Sequence, residues 1–92
     1  MKVIYKYELS SIKGINELNL PEGARALKVD FQNDELMLWC LVDTDQILQR
    51  RVFFAAVTGL DLELDIDNLR YVGTCQTKDD MYVAHVFEVL EE

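Results

Sequence analysis

The chain has 92 residues, half of them apolar, and 17 acidic residues against 9 basic ones give a net charge of −8. This length and composition predict a single domain, residues 1–92, with one hydrophobic core. The negative charge argues against binding to nucleic acids or to anionic membranes, both of which need a basic surface.

The N-terminal segment predicts the first strand. In residues 2–9, four apolar residues alternate with Lys2, Lys6 and Glu8; they are Val3, Tyr5, Tyr7 and Leu9. This period-two pattern is typical of a strand with one buried face. Because the segment lacks the apolar region of a signal peptide, we expect an intracellular protein.

The most apolar run of the chain, residues 36–42, predicts the central strand. It is too short for a stable helix, and turn-forming residues flank it. The segment before it alternates apolar and polar residues, and Asn33-Asp34 predicts a two-residue hairpin turn between the two strands. In this register one buried face carries Leu27, Val29, Phe31, Leu36, Leu38 and Cys40. Trp39 lies on the opposite face across from Lys28, and we expect it to be half-buried.

Residues 46–57 predict a long strand that is apolar on both sides. We therefore expect both of its faces to be covered, or the strand to cross from one sheet to another. The two cysteines, Cys40 and Cys75, fall inside predicted strands, which indicates buried free thiols. With a single histidine and no ligands at short spacing, the sequence predicts no metal site.

Residues 60–67 alternate leucine or isoleucine with acidic residues, which predicts a strand with a carboxylate face. An acidic loop is the alternative, because Asp and Glu are weak strand formers. The carboxylates do not match a calcium-binding loop, which needs a glycine and a bidentate glutamate at fixed positions. Instead, the acidic row is a candidate surface for a basic partner: Asp61, Glu63, Asp65 and Asp67.

Residues 71–77 and 81–90 predict a final hairpin with Asp79-Asp80 as its turn. This register places Thr74 opposite His85, Val72 opposite Phe87 and Gln76 opposite Val83. We expect His85 to be a structural residue held by a hydroxyl or a carbonyl group. With six or seven short strands and no helical spacing, the chain predicts an all-β fold, a small antiparallel β-sandwich or barrel-like domain.

Several short motifs recur in the order and spacing of one family. They are Tyr5-Lys6-Tyr7, Pro21-x-Gly23-Ala24, Leu38-Trp39 with Val42-Asp43, Arg51-x-Phe53, Thr58-Gly59, Val72-Gly73-Thr74 and His85-Val86-Phe87-Glu88. The chain resembles a family of small uncharacterised proteins encoded by bacteriophages. The resemblance covers nearly the whole chain, apart from the acidic segment, residues 60–67. It implies a phage origin and the host cytoplasm as the setting, but no activity.

No motif in the sequence predicts catalysis. The only combination of a nucleophile and a base would use a cysteine with His85, and the predicted register turns Cys75 and His85 to opposite faces. We therefore expect a protein that is not an enzyme and needs no cofactor. The leading hypothesis is an accessory protein that binds a host or phage protein, such as a host defence factor that it inhibits. The candidate partner-binding residues are Trp39 and the acidic row.

Two alternatives remain open. A protein that sequesters a small, nucleotide-like ligand would use hydroxyl and backbone N–H donors around the histidine. Its candidate pocket residues are Thr58, Gly59, Gly73, Thr74 and His85. A structural or assembly protein would instead form homo-oligomers through exposed strand edges and Trp39.

Overall fold

The computed structural model describes residues 1–62 and 66–90, and over these ranges the chain forms seven β-strands. The strands are β1 (Lys2–Leu9), β2 (Gly14–Pro21), β3 (Arg25–Gln32), β4 (Glu35–Asp43), β5 (Leu48–Val57), β6 (Leu69–Gln76) and β7 (Val83–Val89). A single-turn 3₁₀ helix, Ile66–Asn68, precedes β6 and is the only helix in the described ranges. The predicted all-β fold is therefore confirmed.

All strand pairs are antiparallel, and they form two sheets. The three-stranded sheet has the order β1-β4-β3, and the four-stranded sheet has the order β2-β5-β7-β6. Apolar side chains from both sheets meet in one core: Leu9, Leu20, Ala24, Val29, Leu36, Leu38, Cys40, Val42, Phe53, Ala55, Cys75, Ala84 and Val86. The apolar run of β4 thus forms the centre of its sheet, as the sequence predicts.

The hairpin of β3 and β4 follows the predicted register over most of its length. Asn33 and Asp34 both adopt positive φ, 53° and 64°, which is the geometry of the tight turns that match strand twist. Pairing then runs from Gln32 and Glu35 to Lys28 and Trp39.

On the N-terminal side of Lys28 the expected pairing is wrong for Leu27. A β-bulge lies between Ala26 and Lys28, so Ala26 takes the place opposite Cys40 that was expected for Leu27. The extra residue of a bulge is left out of the ladder. Leu27 therefore lies 47 % exposed instead of on the buried face.

A buried amide holds the connection between β1 and β2, which carries the chain from one sheet to the other. The Asn16 side chain accepts a hydrogen bond from the Ser11 N–H (2.8 Å) and donates one to the Ser11 carbonyl (2.9 Å). Asn16 is 3 % exposed, and these bonds satisfy an amide that would otherwise be costly to bury.

The two sheets approach closely where β3 lies beside β6. At this contact Gly73 of β6 faces Val29 of β3, and a Cβ atom on Gly73 would lie only 2.9 Å from Val29 Cγ2. Glycine is therefore required here by close packing between strands.

The last hairpin keeps the predicted pairs Thr74 with His85 and Gln76 with Val83. A β-bulge between Tyr71 and Gly73 removes Val72 from the ladder, so Tyr71 and not Val72 lies opposite Phe87. The strands end earlier than expected, and the connecting turn is wider than two residues, since the Thr77 N–H bonds to the Tyr82 carbonyl.

Strand β5 is buried on both sides from Val52 to Val57, which confirms that both of its faces are covered. The predicted strand over residues 60–67 is wrong where the structure describes it. Leu60 to Leu62 form a turn and coil, and Ile66 begins the 3₁₀ helix. Two of the predicted acidic residues, Glu63 and Asp65, lie outside the described residues.

Candidate functional site

The outer face of the three-stranded sheet carries a row of apolar side chains that are partly or largely exposed. Met37, Trp39 and Leu41 alternate with the buried residues of β4 and are each only partly buried. Ile4 of β1 lies opposite Leu41 and is 59 % exposed. These four residues are called the Trp39 face below.

Charged and polar side chains surround the Trp39 face. Lys6 and Lys28 flank Trp39 on the two neighbouring strands, and the Lys28 ammonium lies 5.9 Å from the centre of the Trp39 ring. This cation–π contact agrees with the predicted position of Lys28 opposite Trp39. Lys6 Nζ donates a 2.6 Å hydrogen bond to Gln32 Oε1, which links β1 to β3 across β4. An apolar centre inside a polar rim is the usual anatomy of a protein interface.

Strand β1 forms a free edge beside this face. It pairs only with β4, so one side of its backbone is left without a partner strand in the described fold. Its N-terminus is fixed, because the Met1 ammonium donates to Asp43 Oδ1 (3.1 Å) and Asp45 Oδ2 (2.8 Å). Both hydrogen bonds raise the pKa of the ammonium, and the bond to Asp45 has the larger effect. Edge strands are sites where other chains can add.

The histidine cluster predicted from sequence is assembled only in part, on the outer face of the four-stranded sheet. His85 Nε2 is hydrogen bonded to Thr58 Oγ1 (2.7 Å), and His85 Nδ1 to Thr74 Oγ1 (3.0 Å). Thr74 in turn contacts the Tyr71 hydroxyl at 2.6 Å. Because hydroxyls engage both ring nitrogens, the geometry agrees with the expected structural role of His85.

The two glycines assigned to the same candidate pocket do not join the histidine. Gly73 turns to the inner side against Val29, and Gly59 has a φ of 88° in a turn closed by the Leu60 N–H and the Val57 carbonyl. The glycines therefore serve packing and turn geometry, as glycine in and beside strands commonly does.

The described acidic residues form no ligand cluster. Asp61 and Asp67 are both exposed, and within residues 1–62 and 66–90 there is no group of three or more side chains placed to hold a metal ion. A partner surface built on the acidic row stays a prediction, because half of that row lies outside the described residues.

Both cysteines are free and buried, as the sequence predicts. Burial raises the pKa of Cys40 and of Cys75 to about 11. The reactive form of cysteine is the thiolate, so these thiols are held in their unreactive form at neutral pH.

One charged pair that the sequence did not reveal lies between the sheets. Arg51 Nε and Nη2 donate to the two carboxylate oxygens of Glu88, at 2.5 and 2.9 Å, and Arg51 Nη1 donates to the Ala24 carbonyl at 2.7 Å. The two side chains are only 15 % and 10 % exposed. The hydrogen bond to Glu88 is the main reason why the pKa of Arg51 is raised.

The Arg51–Glu88 pair lines a surface pocket of about 390 Å³. The other lining residues are Gly23, Ala24, Arg25, Ala26, Arg70, Tyr71 and Val72. We call it the arginine pocket. Arg51 and Glu88 are far apart in the chain, so only the pairing of β5 with β7 brings them together.

Two packed antiparallel sheets with an open apolar outer face and a lined edge pocket define the protein as a small β-sandwich domain. The family profile of a domain of unknown function, DUF7352, matches residues 1–92, and the chain belongs to this family. The predicted membership of an uncharacterised family is thus confirmed. No curated protein and no solved structure matches the chain. Among the described residues no helix is long and apolar enough to cross a membrane.

Proposed function

We propose that this protein is a non-enzymatic accessory protein of a bacteriophage that binds a host or phage protein through the Trp39 face. The observation that carries the proposal is the partly exposed Trp39 in an apolar row with a charged rim. Tryptophan is enriched among the residues that dominate binding energy, and such residues lie near the centre of an interface.

The charge of the chain favours a protein partner over a nucleic acid. A net charge of −8 opposes the approach of a polyanion, whereas the Trp39 face itself mixes both signs. Lys6 and Lys28 flank Trp39, and Glu8 and Asp30 flank Met37. A rim of mixed charge fixes the orientation of a partner and disfavours wrong ones.

The motif resemblance to phage proteins supports the host cytoplasm as the setting. A host defence factor is a partner class that binding alone would inhibit, because an occupied surface is closed to its own target. Inhibition by binding needs no chemical step. The buried thiols, which stay protonated, and His85, whose two ring nitrogens are both hydrogen bonded, agree with a protein that carries out no chemical step.

The test is capture of partners from a lysate of the host bacterium by the wild-type chain and by two variants. Trp39→Ser removes the indole from the Trp39 face. Tyr82→Ser is the matched control, because Tyr82 is 45 % exposed but lies in the loop between β6 and β7. We expect a partner that the wild type and the control retain and that Trp39→Ser loses.

A photo-reactive residue at position 4 should cross-link the same partner, and one at position 82 should not. Equal capture by the wild type and Trp39→Ser, with both variants folded by circular dichroism, would exclude the Trp39 face. Light scattering tests the alternative that the protein forms homo-oligomers. A stable homodimer that Trp39→Ser dissociates would show that the face binds a second copy of the chain.

A further inference from the structure

The arginine pocket lies where two bulged edge strands separate. Strands β3 and β6 touch at Val29 and Gly73, and each carries its bulge further along, at Leu27 and at Val72. Bulges bend an edge strand and interrupt its pairing, and they are common beside functional sites. The two bulges therefore open a cleft between the sheets at this end of the contact.

Positive charge is concentrated in the cleft, although the chain as a whole is acidic. Three of the four arginines of the chain line it: Arg25, Arg51 and Arg70. Among the described residues Glu88 is the only acidic one in the lining, and both of its oxygens bind Arg51. Within the described part of the chain Arg25 and Arg70 make no ion pair, so the lining has a net charge of two positive units.

One wall of the cleft is held rigidly. The Glu88 carboxylate and the Ala24 carbonyl accept hydrogen bonds from all three guanidinium nitrogens of Arg51 and so hold its side chain in place. Arg25 and Arg70 are exposed and extend from the two edge strands that flank the cleft. Guanidinium groups recognise phosphate and carboxylate by pairs of parallel hydrogen bonds.

We infer that the arginine pocket binds a small ligand with two negative charges, a phosphate or a dicarboxylate, with Arg25 and Arg70 contacting its anionic oxygens. The volume of about 390 Å³ lies near the lower end of the range for small-molecule sites. This size admits a phosphorylated metabolite or a mononucleotide. The net charge of the whole chain opposes longer polyanions. The inference thus places a nucleotide-like ligand at a different site from the residues around His85.

Isothermal titration calorimetry on the full chain at low ionic strength tests the site with three probes. Inorganic phosphate and adenosine monophosphate represent the phosphate source, and succinate represents a dicarboxylate source. We expect binding of at least one probe, with an affinity that falls as salt is added. Tighter binding of the phosphate probes than of succinate would identify a phosphoryl ligand, and the reverse order a dicarboxylate.

Variants then locate the binding. Arg25→Gln and Arg70→Gln should each weaken binding by about tenfold, because each removes charge-assisted hydrogen bonds. Lys78→Gln is the control, since it removes the same charge from an exposed loop residue outside the arginine pocket. Trp39→Ser should leave anion binding unchanged. A failure of the anion-binding inference can therefore be distinguished from a failure of the protein-binding proposal.

Amide chemical shifts provide a second measurement that does not depend on the variants. Phosphate should move the signals of Ala24, Ala26 and Val72 more than those around His85. The inference is overturned if no probe binds at millimolar concentration. It is also overturned if the double variant Arg25→Gln/Arg70→Gln binds as the wild type does, or if Lys78→Gln loses as much affinity.

Discussion

The two sheets of this domain differ in what covers their outer faces. On the four-stranded sheet, Val52, Phe54 and Ala56 of β5 face outward yet are only 7 %, 8 % and 7 % exposed. Leu60 and Leu62 line one cavity together with Phe54 and Ala56, so the segment after β5 lies beside this face. On the three-stranded sheet, Met37, Trp39 and Leu41 are only partly buried, and Ile4 is 59 % exposed. The apolar residues at the centres of the two outer faces thus differ in burial.

The largest loss of stability is expected from a substitution in the core, which belongs to neither outer face. Leu38 of β4 is fully buried between the sheets, and Leu38→Ala should lower the free energy of unfolding by about 2 to 5 kcal/mol, because it leaves a cavity. Denaturant titration measures this loss, provided that the free energy of unfolding falls with denaturant concentration at the same slope in the variant and the wild type. A loss below about 1 kcal/mol would mean that the inner face of β4 is not the core.

The outer faces should respond differently to truncation. Phe54→Ala should cost about 3 kcal/mol although Phe54 faces outward, because its ring is buried. Ile4→Ala on the Trp39 face should cost less than about 1 kcal/mol, since Ile4 is already 59 % exposed. Equal losses in thermal unfolding would show that the two outer faces are covered alike, and the comparison between the sheets would be wrong.

Two ion pairs of the four-stranded sheet extend the comparison to charges. Glu88→Gln should cost about 2 to 3 kcal/mol, because it leaves the buried Arg51 guanidinium without its counter-charge. Glu17→Gln removes one charged partner of Arg50 in an exposed pair and should change little. Urea unfolding of both variants distinguishes the cases. A stable Glu88→Gln variant would show that Arg51 is solvated in the arginine pocket.

The smallest effect is expected where β1 is fastened to the three-stranded sheet. The Asp45 backbone N–H and the Met1 ammonium lower the pKa of Asp43, so its contribution to stability is present at neutral pH and lost as the pH falls through the folded pKa. Asp43→Asn should therefore lower the unfolding temperature slightly at pH 7 and not at about pH 2. Asp61→Asn, in the acidic segment, should leave the unfolding temperature unchanged or slightly raised at pH 7 and unchanged at about pH 2. A difference for Asp43→Asn that persists in acid would point to a role other than charge.

Much of the fold was predictable because its signals are local. The Asn33-Asp34 turn and the alternation on both sides of it determine which residues of β3 and β4 pair. Thr74 also lies opposite His85 as predicted, although the turn between β6 and β7 is wider than the predicted Asp79-Asp80 turn. The bulges at Leu27 and Val72 were not predictable, because the apolar and polar pattern continues through them while the ladder shifts.

The arginine pocket could not be inferred from sequence for a related reason. Arg25, Arg51 and Arg70 lie on three strands, and they come together only through the packing of the two sheets and the divergence of β3 from β6. The Trp39 face was partly predictable, since Lys28 opposite Trp39 follows from the hairpin register. Whether any segment covers that face depends on contacts distant in the chain.

The pairing order of the strands has a consequence for how the domain folds during synthesis. Strand β1 pairs with β4 and β2 with β5, whereas β3 with β4 is a local hairpin. Closing a long segment costs more entropy than closing a short one, so we expect the β3–β4 hairpin to form first. Pulsed hydrogen exchange during refolding would then protect β4 amides before those of β1. During synthesis β1 is therefore without its partner strand until Asp43 has emerged, and Tyr5 and Tyr7 are open to neighbouring chains for that interval.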